Sequence, residues 1–148
     1  MNRYELLRVA GRGGMSTVYL ARDTHFRQVE RLCAVKAMMS HASDEASRTL
    51  QRNAFEREAA MLATLRHPGI PQVFDFFTLD DISYLVLEFI EGEDLERLIG
   101  RSTGPIPEST LIDWALQILE VLAYLHSHEP EPIVFRDLKP SNVMLRPN

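Results

Sequence analysis

The chain has 148 residues, 45% of them hydrophobic, which suits one domain, or a small domain plus part of another, and excludes a disordered chain. A net charge of −5 gives no basic field and excludes nucleic acid as the main partner, and the single cysteine, Cys33, excludes a disulfide framework or a thiolate metal cluster. No apolar run approaches the roughly 18 residues of a bilayer span, and the N-terminus lacks a signal-peptide core. A reducing, cytoplasmic setting is therefore expected, with a membrane anchor beyond residue 148 left open.

The elements follow in chain order. Tyr4 to Ala10 leads into Gly11-Arg12-Gly13-Gly14. With Thr17 to Ala21 and Leu32 to Met38 it predicts three antiparallel strands with tight connections. Ser40 to Ser47 reads as a polar loop. From about Leu50 the period changes. Phe55, Glu58, Leu62 and Leu65 recur at spacings of three and four and mark one helical face, which His67-Pro68-Gly69 ends. Val73 to Leu79 and Ile82 to Leu87 predict two more strands around Asp80-Asp81. Glu88 to Asp94 reads as a linker and the domain boundary. A short helix is expected near Leu95 to Ile99, then a breaker-rich loop from Gly100 to Pro107. The longest helix spans Glu108 to His126, with Leu111, Ala115, Ile118, Leu122 and Leu125 on one face. Trp114, Leu119 and Val121 widen that face, so the helix expects cover on more than one side.

Three stretches carry chemistry. The loop Gly11-Arg12-Gly13-Gly14-Met15-Ser16 offers backbone amides without intervening side chains, suited to lie over phosphates. By itself it reads equally as a hairpin turn. A dinucleotide fold would need it to open a helix, but Thr17-Val18-Tyr19-Leu20 continues as strand, and no Gly-Lys-Ser or Gly-Lys-Thr makes a P-loop. Lys36 lies in an otherwise apolar strand and shares a face with Ala34 and Met38. Snorkelling to solvent is the plain reading. The sharper one is contact with an anionic ligand, with Glu58 as the fixing carboxylate. A charge on the apolar helix face is costly unless paired, whereas Glu56 points about 160° away. Last, Phe135-Arg136-Asp137-Leu138-Lys139-Pro140-Ser141-Asn142 places a carboxylate, an ammonium and a carboxamide in one loop, a spacing suited to phosphoryl transfer. The five histidines show no metal spacing.

Together these motifs, in this order, resemble the eukaryotic-type serine/threonine protein kinases, and Gly-Arg-Gly-Gly-Met-Ser-Thr-Val-Tyr-Leu-Ala-Arg-Asp is most similar to their bacterial branch. The resemblance implies an α+β, protein-kinase-like fold. A five-stranded antiparallel sheet with one main helix would occupy residues 1–88, a hinge 89–94, and an incomplete helical lobe 95–148. It implies ATP and Mg2+ as ligands and a protein Ser/Thr hydroxyl as acceptor. Gly11, Gly13, Gly14, Met15 and Ser16 would cover the phosphates. Val18 and Ala34 would roof the adenine, with Met144 as its floor. Lys36, held by Glu58, would meet the α- and β-phosphates, and Leu87 would guard the back of the pocket. Glu88 and Ile90 would bind adenine through backbone groups, and Asp94 would sit near the ribose. Asp137 would be the base, Lys139 the γ-phosphate contact and Asn142 the magnesium ligand. Arg136 would pair with an activation-loop phosphate.

Departures from the family pattern are Ser16 for the third glycine, Phe135 for the usual His, and no Asp-Phe-Gly segment through residue 148. The last implies that residues 1–148 alone are inactive. The alternative is an inactive nucleotide-binding or protein-interaction module, and the uncovered long helix predicts self-association.

Overall fold

The computed structural model describes residues 3–13, 16–25, 28–40 and 44–147. The chain forms two compact units. The first takes residues 1–66 and 71–89, the second 67–70 and 90–148.

In the first unit, β1 (Tyr4–Arg12), β2 (Ser16–Asp23), β3 (Leu32–Met39), β4 (Val73–Leu79) and β5 (Ile82–Glu88) build one antiparallel sheet in the order β1-β2-β3-β5-β4. The β4–β5 turn uses Asp80 and Asp81, both left-handed with φ of 48° and 62°. Aspartate tolerates that region, and the paired left-handed residues match the twist of a tight hairpin.

The two faces of the sheet bury different side chains. Tyr4, Ala21, Cys33, Val35, Tyr84 and Val86 pack on one. Val73 and Leu85 pack on the other with Ala59 of the helix α1 (Glu45–Leu62), joined by Met38, Phe55, Leu62, Phe76 and Leu87. The strand period therefore sets Lys36, between Ala34 and Met38, on the helix-covered face, as the alternation predicts.

Helix α1 differs from expectation at both ends. Asp44 caps it, its side chain accepting from the Ser47 amide at 2.8 Å, so it starts inside the stretch read as a loop. It stops at Leu62, and Leu65, buried, lies beyond it. Its buried stripe is Phe55, Ala59 and Leu62.

Cys33 is fully buried and its thiol is pushed up to about 11 by desolvation, so it behaves as a small core hydrophobe. At the start of β1 Arg3 grips Asp23 through two nitrogens, at 3.0 and 3.2 Å, and reaches Asp75 at 3.2 Å. The Tyr4 hydroxyl donates to the same Asp75 carboxylate at 2.8 Å. Three strands are thus tied by one charged network. The bond from Arg3 holds the buried Asp23 carboxyl below its ordinary range. A carboxylate lowered in the folded state adds stability that is complete above its unfolded value and disappears as pH falls through the folded one. Asp23→Asn is expected to cost about 1–2 kcal/mol at neutral pH. It should also flatten the loss of stability below about pH 4. Urea melts at pH 7 and pH 3 check both; parallel losses in variant and parent at low pH would contradict it.

In the second unit, β6 (Glu93–Asp94) pairs antiparallel with β7 (Met144–Leu145), and α2 (Leu95–Arg101) starts directly from β6. Asp94 caps α2 by accepting from the Arg97 amide at 2.9 Å. Helix α3 runs Glu108–His126, the expected span. Its covered side is Trp114, Ile118, Val121, Leu122 and Leu125, while Leu111, Ala115 and Leu119, placed on that face by the sequence pattern, are exposed with Ile112 and Leu116. Residues 67–70 pack on the covered side. The His67 ring lies 5.0 Å from the Tyr124 ring, and a Cβ on Gly69 would come within 2.6 Å of Val121. No helix among the described residues is long and apolar enough to cross a membrane.

Candidate functional site

In the first unit the glycine-rich connection is a hairpin tip. Gly11 stands opposite Val18 and Arg12 opposite Thr17, and the Gly13 amide donates to the Ser16 carbonyl at 2.8 Å. Gly14 and Met15, also expected to cover phosphates, lie outside the described residues. Behind the tip the register lines up two rows. Val18, Lys36 and Leu85 are neighbours across β2, β3 and β5; Leu20, Ala34 and Leu87 form the next row. Directly paired residues of antiparallel strands share a face. Val18, Ala34, Lys36 and Leu87 therefore stand on one face. An ammonium is set among apolar side chains there, and Lys36 is half-buried.

Glu58 does not complete this arrangement. It was expected on the apolar face of its helix, paired with Lys36; it is exposed, and among the described residues no ion pair joins the two. The physical reason is helical phase. The stripe that meets the sheet is Phe55, Ala59 and Leu62, and Glu58 stands about 70° around the helix from its centre, on the flank. There it lines a groove with Met38, Phe55 and Ser83. At the end of β5, the Glu88 amide donates to the Gln72 carbonyl at 2.8 Å, and the Glu88 side chain accepts from the Gln72 amide at 3.3 Å.

In the second unit the Asp137 loop is knitted around one carboxylate. Lys139 Nζ meets Asp137 Oδ2 at 2.8 Å. Asn142 Nδ2 donates to the same oxygen at 2.9 Å and to the Asp137 carbonyl at 2.8 Å. A 3-10 turn over Pro140–Asn142 sets this geometry, with the Asn142 amide donating to the Lys139 carbonyl at 2.9 Å. Proline fixes φ at the start of the turn and needs no amide partner there. All three side chains are exposed. A carboxylate beside an ammonium and a carboxamide can accept a hydroxyl proton while the ammonium offsets phosphate charge.

The β6–β7 ribbon joins the loop to residues far away in sequence. Asp94 is the cross-strand partner of Met144, and the Leu95 amide donates to the Val143 carbonyl at 2.9 Å. The Asp94 carboxylate is engaged as the cap of α2 and in an ion pair with Arg97 at 3.2 Å. Glu93, read only as linker, forms a two-pronged ion pair with Arg101. Gly92, φ 146°, lies where a Cβ would overlap the Leu145 carbonyl. Ile90 is half-buried.

The profile of the protein kinase domain matches residues 4–148. The chain belongs to the protein kinase domain family. PrkC of Bacillus subtilis, a serine/threonine-protein kinase, is 36% identical over 144 residues, covering 97% of this chain. A probable serine/threonine-protein kinase of Streptomyces coelicolor is 39% identical over 150 residues, covering 99% of it. Serine/threonine-protein kinase C of Synechocystis is 35% identical over 147 residues, covering 98%. The chain spans 20%, 21% and 26% of these three relatives. The relatives are bacterial serine/threonine kinases, and the five-stranded sheet with α1 and the helices that follow agree with the kinase fold expected from the motifs.

Protein kinases use ATP with magnesium. Among the described residues no group of three or more His, Cys, Asp or Glu side chains could hold a metal by itself. This kinase domain offers the Asn142 side-chain oxygen Oδ1, an acceptor by nature, while Nδ2 is committed to Asp137. That donor set fits magnesium arriving with phosphate oxygens, the usual way this ion is bound, rather than a cage built by the chain.

Proposed function

We propose that this chain supplies the nucleotide-binding elements and the catalytic loop of an ATP-dependent protein serine/threonine kinase. The observation that carries the reading is the Asp137 carboxylate held by both Lys139 and Asn142 inside one loop. In this reading the glycine hairpin covers the phosphates, and Lys36 neutralises the α- and β-phosphates from its row beside Val18 and Leu85. Val18, Ala34, Leu87 and Met144 receive the adenine, the strand end at Glu88 and Ile90 offers backbone groups, and Asp94 neighbours the ribose. Asp137 orients the acceptor hydroxyl and takes its proton. Lys139, released from Asp137, meets the transferred phosphoryl group. Asn142 would hold magnesium, which supplies charge neutralisation on the phosphates. Lys139 two residues after Asp137 favours Ser/Thr over Tyr acceptors.

The test is transfer of γ-labelled phosphate to a Ser/Thr-containing acceptor protein by a longer protein carrying these residues. Lys36→Met is expected to abolish labelling, and residues 1–148 alone are expected not to label. Equal labelling by the parent and the Lys36→Met variant would refute the assignment.

A further inference from the structure

Strand β1 breaks its alternation twice on the way to the glycine hairpin. Leu6 stands opposite Ala21 and Arg8 opposite Leu20, so two steps along β1 match one along β2 and Leu7 is an extra residue. Ala10 is the second, between Val9 opposite Tyr19 and Gly11 opposite Val18. Bulges of this kind re-aim side chains and gather beside functional sites. Unbroken alternation would set Arg8 with Tyr4 and Leu6, on the face that buries Tyr4, Ala21 and Val35. The bulge at Leu7 turns it to the other face. There Arg8 extends the row of Leu20, Ala34 and Leu87 by one strand, to the edge of the sheet. Its guanidinium is uncommitted: Arg8 is exposed, and among the described residues it makes no hydrogen bond or ion pair. Arg22 is the contrast. It lies on the same face, one row further from the hairpin tip, and is held by Glu5 at 3.3 Å and Glu30 at 2.7 Å.

We propose that Arg8 is a specificity-determining residue for the nucleotide, its guanidinium donating to the ribose hydroxyls. This rests on the reading that the face of Val18, Ala34 and Lys36 receives ATP. In that reading the base lies against Val18, Ala34 and Leu87 and the phosphates under the hairpin tip, so the sugar that joins them runs along β2 and β1. Two strand spacings, about 10 Å, separate Arg8 from Ala34, and an extended arginine covers most of that span. A guanidinium carries only donors, and a hydroxyl oxygen accepts. The Asp94 carboxylate is a poorer candidate for the same bond, because one oxygen accepts from the Arg97 amide at 2.9 Å and the other meets the Arg97 side chain at 3.2 Å.

The test compares ATP with dideoxy-ATP, which lacks both ribose hydroxyls, by their dissociation constants with magnesium in a longer protein carrying these residues. Arg8→Ala and Arg8→Met are expected to weaken ATP about three- to tenfold, to leave dideoxy-ATP within about twofold, and so to shrink the preference for ATP by the same factor. Met keeps the apolar stem of the side chain and loses its donors, so it decides the matter if the alanine variant fails to fold. Arg22→Ala removes one positive charge from the same face and is expected to leave the preference unchanged. An unchanged preference in the Arg8 variants, or an equal weakening of both nucleotides, would overturn the proposal; the second result would make Arg8 a distant charge felt by the phosphates. ATP binding with an unaltered preference removes Arg8 alone. A parent protein that binds neither nucleotide refutes the nucleotide site and the part of Arg8 in it together.

Discussion

Asp137→Ala is expected to cut phosphoryl transfer about 10²- to 10⁴-fold in a longer protein carrying this sequence, the range of a lost general base. The geometry says why the loss falls on the chemical step. The Asp137 Oδ2 atom is the common acceptor for Lys139 and Asn142, at 2.8 and 2.9 Å. Truncation removes the group that would take the hydroxyl proton. It leaves the Asn142 bond to the Asp137 backbone carbonyl, at 2.8 Å, so the turn over Pro140–Asn142 keeps its shape. Lys36 and the glycine hairpin belong to other elements and are untouched. The expected signature is a fall in kcat with the ATP dissociation constant within a few-fold of the parent, the pattern of an interaction used only in the transition state. Asp137→Asn should lose as much, because a carboxamide preserves the shape of the site and cannot take the proton. Steady-state kinetics with titrated acceptor protein and separate nucleotide binding decide it. Transfer within tenfold of the parent in either variant would remove Asp137 as the base.

The elements that sequence alone made legible are those with local periodicity. The bounds of β4 and α3 match the pattern residue for residue, and the strand alternation placed Ala34, Lys36 and Met38 on one face. Helix α1 was legible in type and not in phase. The apolar spacing runs on through Leu65, which lies past the helix end, and Ala59 is too small to stand out although it is the contact with Val73 and Leu85. Including Leu65 turns the apparent face toward Glu58. The earlier start at Glu45 did have a signal, an Asp before a helix-forming stretch with its carboxylate in reach of the third residue onward. The Asp137 loop was legible because all its groups lie within six residues. The β6–β7 ribbon was not, since a two-residue ladder across a long separation leaves no period to read. The same holds for Arg3 with Asp23 and Asp75, a network set by tertiary position alone. Residues 67–70 read only as a helix stop; their packing on α3 through His67 and Gly69 depends on partners far along the chain.

Gly92→Ala is expected to be the most damaging single substitution outside the chemistry, by about 2–4 kcal/mol. Two independent causes act at one atom. Gly92 has φ 146°, a region that side chains rarely enter, and holding an alanine there costs about 1–3 kcal/mol. The added Cβ would also overlap the Leu145 carbonyl oxygen, which is backbone and cannot rotate aside. Relief requires residues 92–94 to move away from residues 144–146. The pairing of Glu93 with Leu145 and of Asp94 with Met144 is then lost, along with the Leu95 amide bond to Val143. Since Asp94 is also the cap of α2, the first turn of that helix loosens too. Gly100→Ala is the matched control. A Cβ there meets nothing within 4 Å and the residue lies inside α2, where alanine is the better helix former. Thermal melts should show the Gly92 variant lower by more than about 8 °C and the Gly100 variant level with the parent or above it. If both variants melt with the parent, the close approach of Gly92 to Leu145 is not a constraint on the fold. Met144 then owes its position opposite Asp94 to something other than this ribbon.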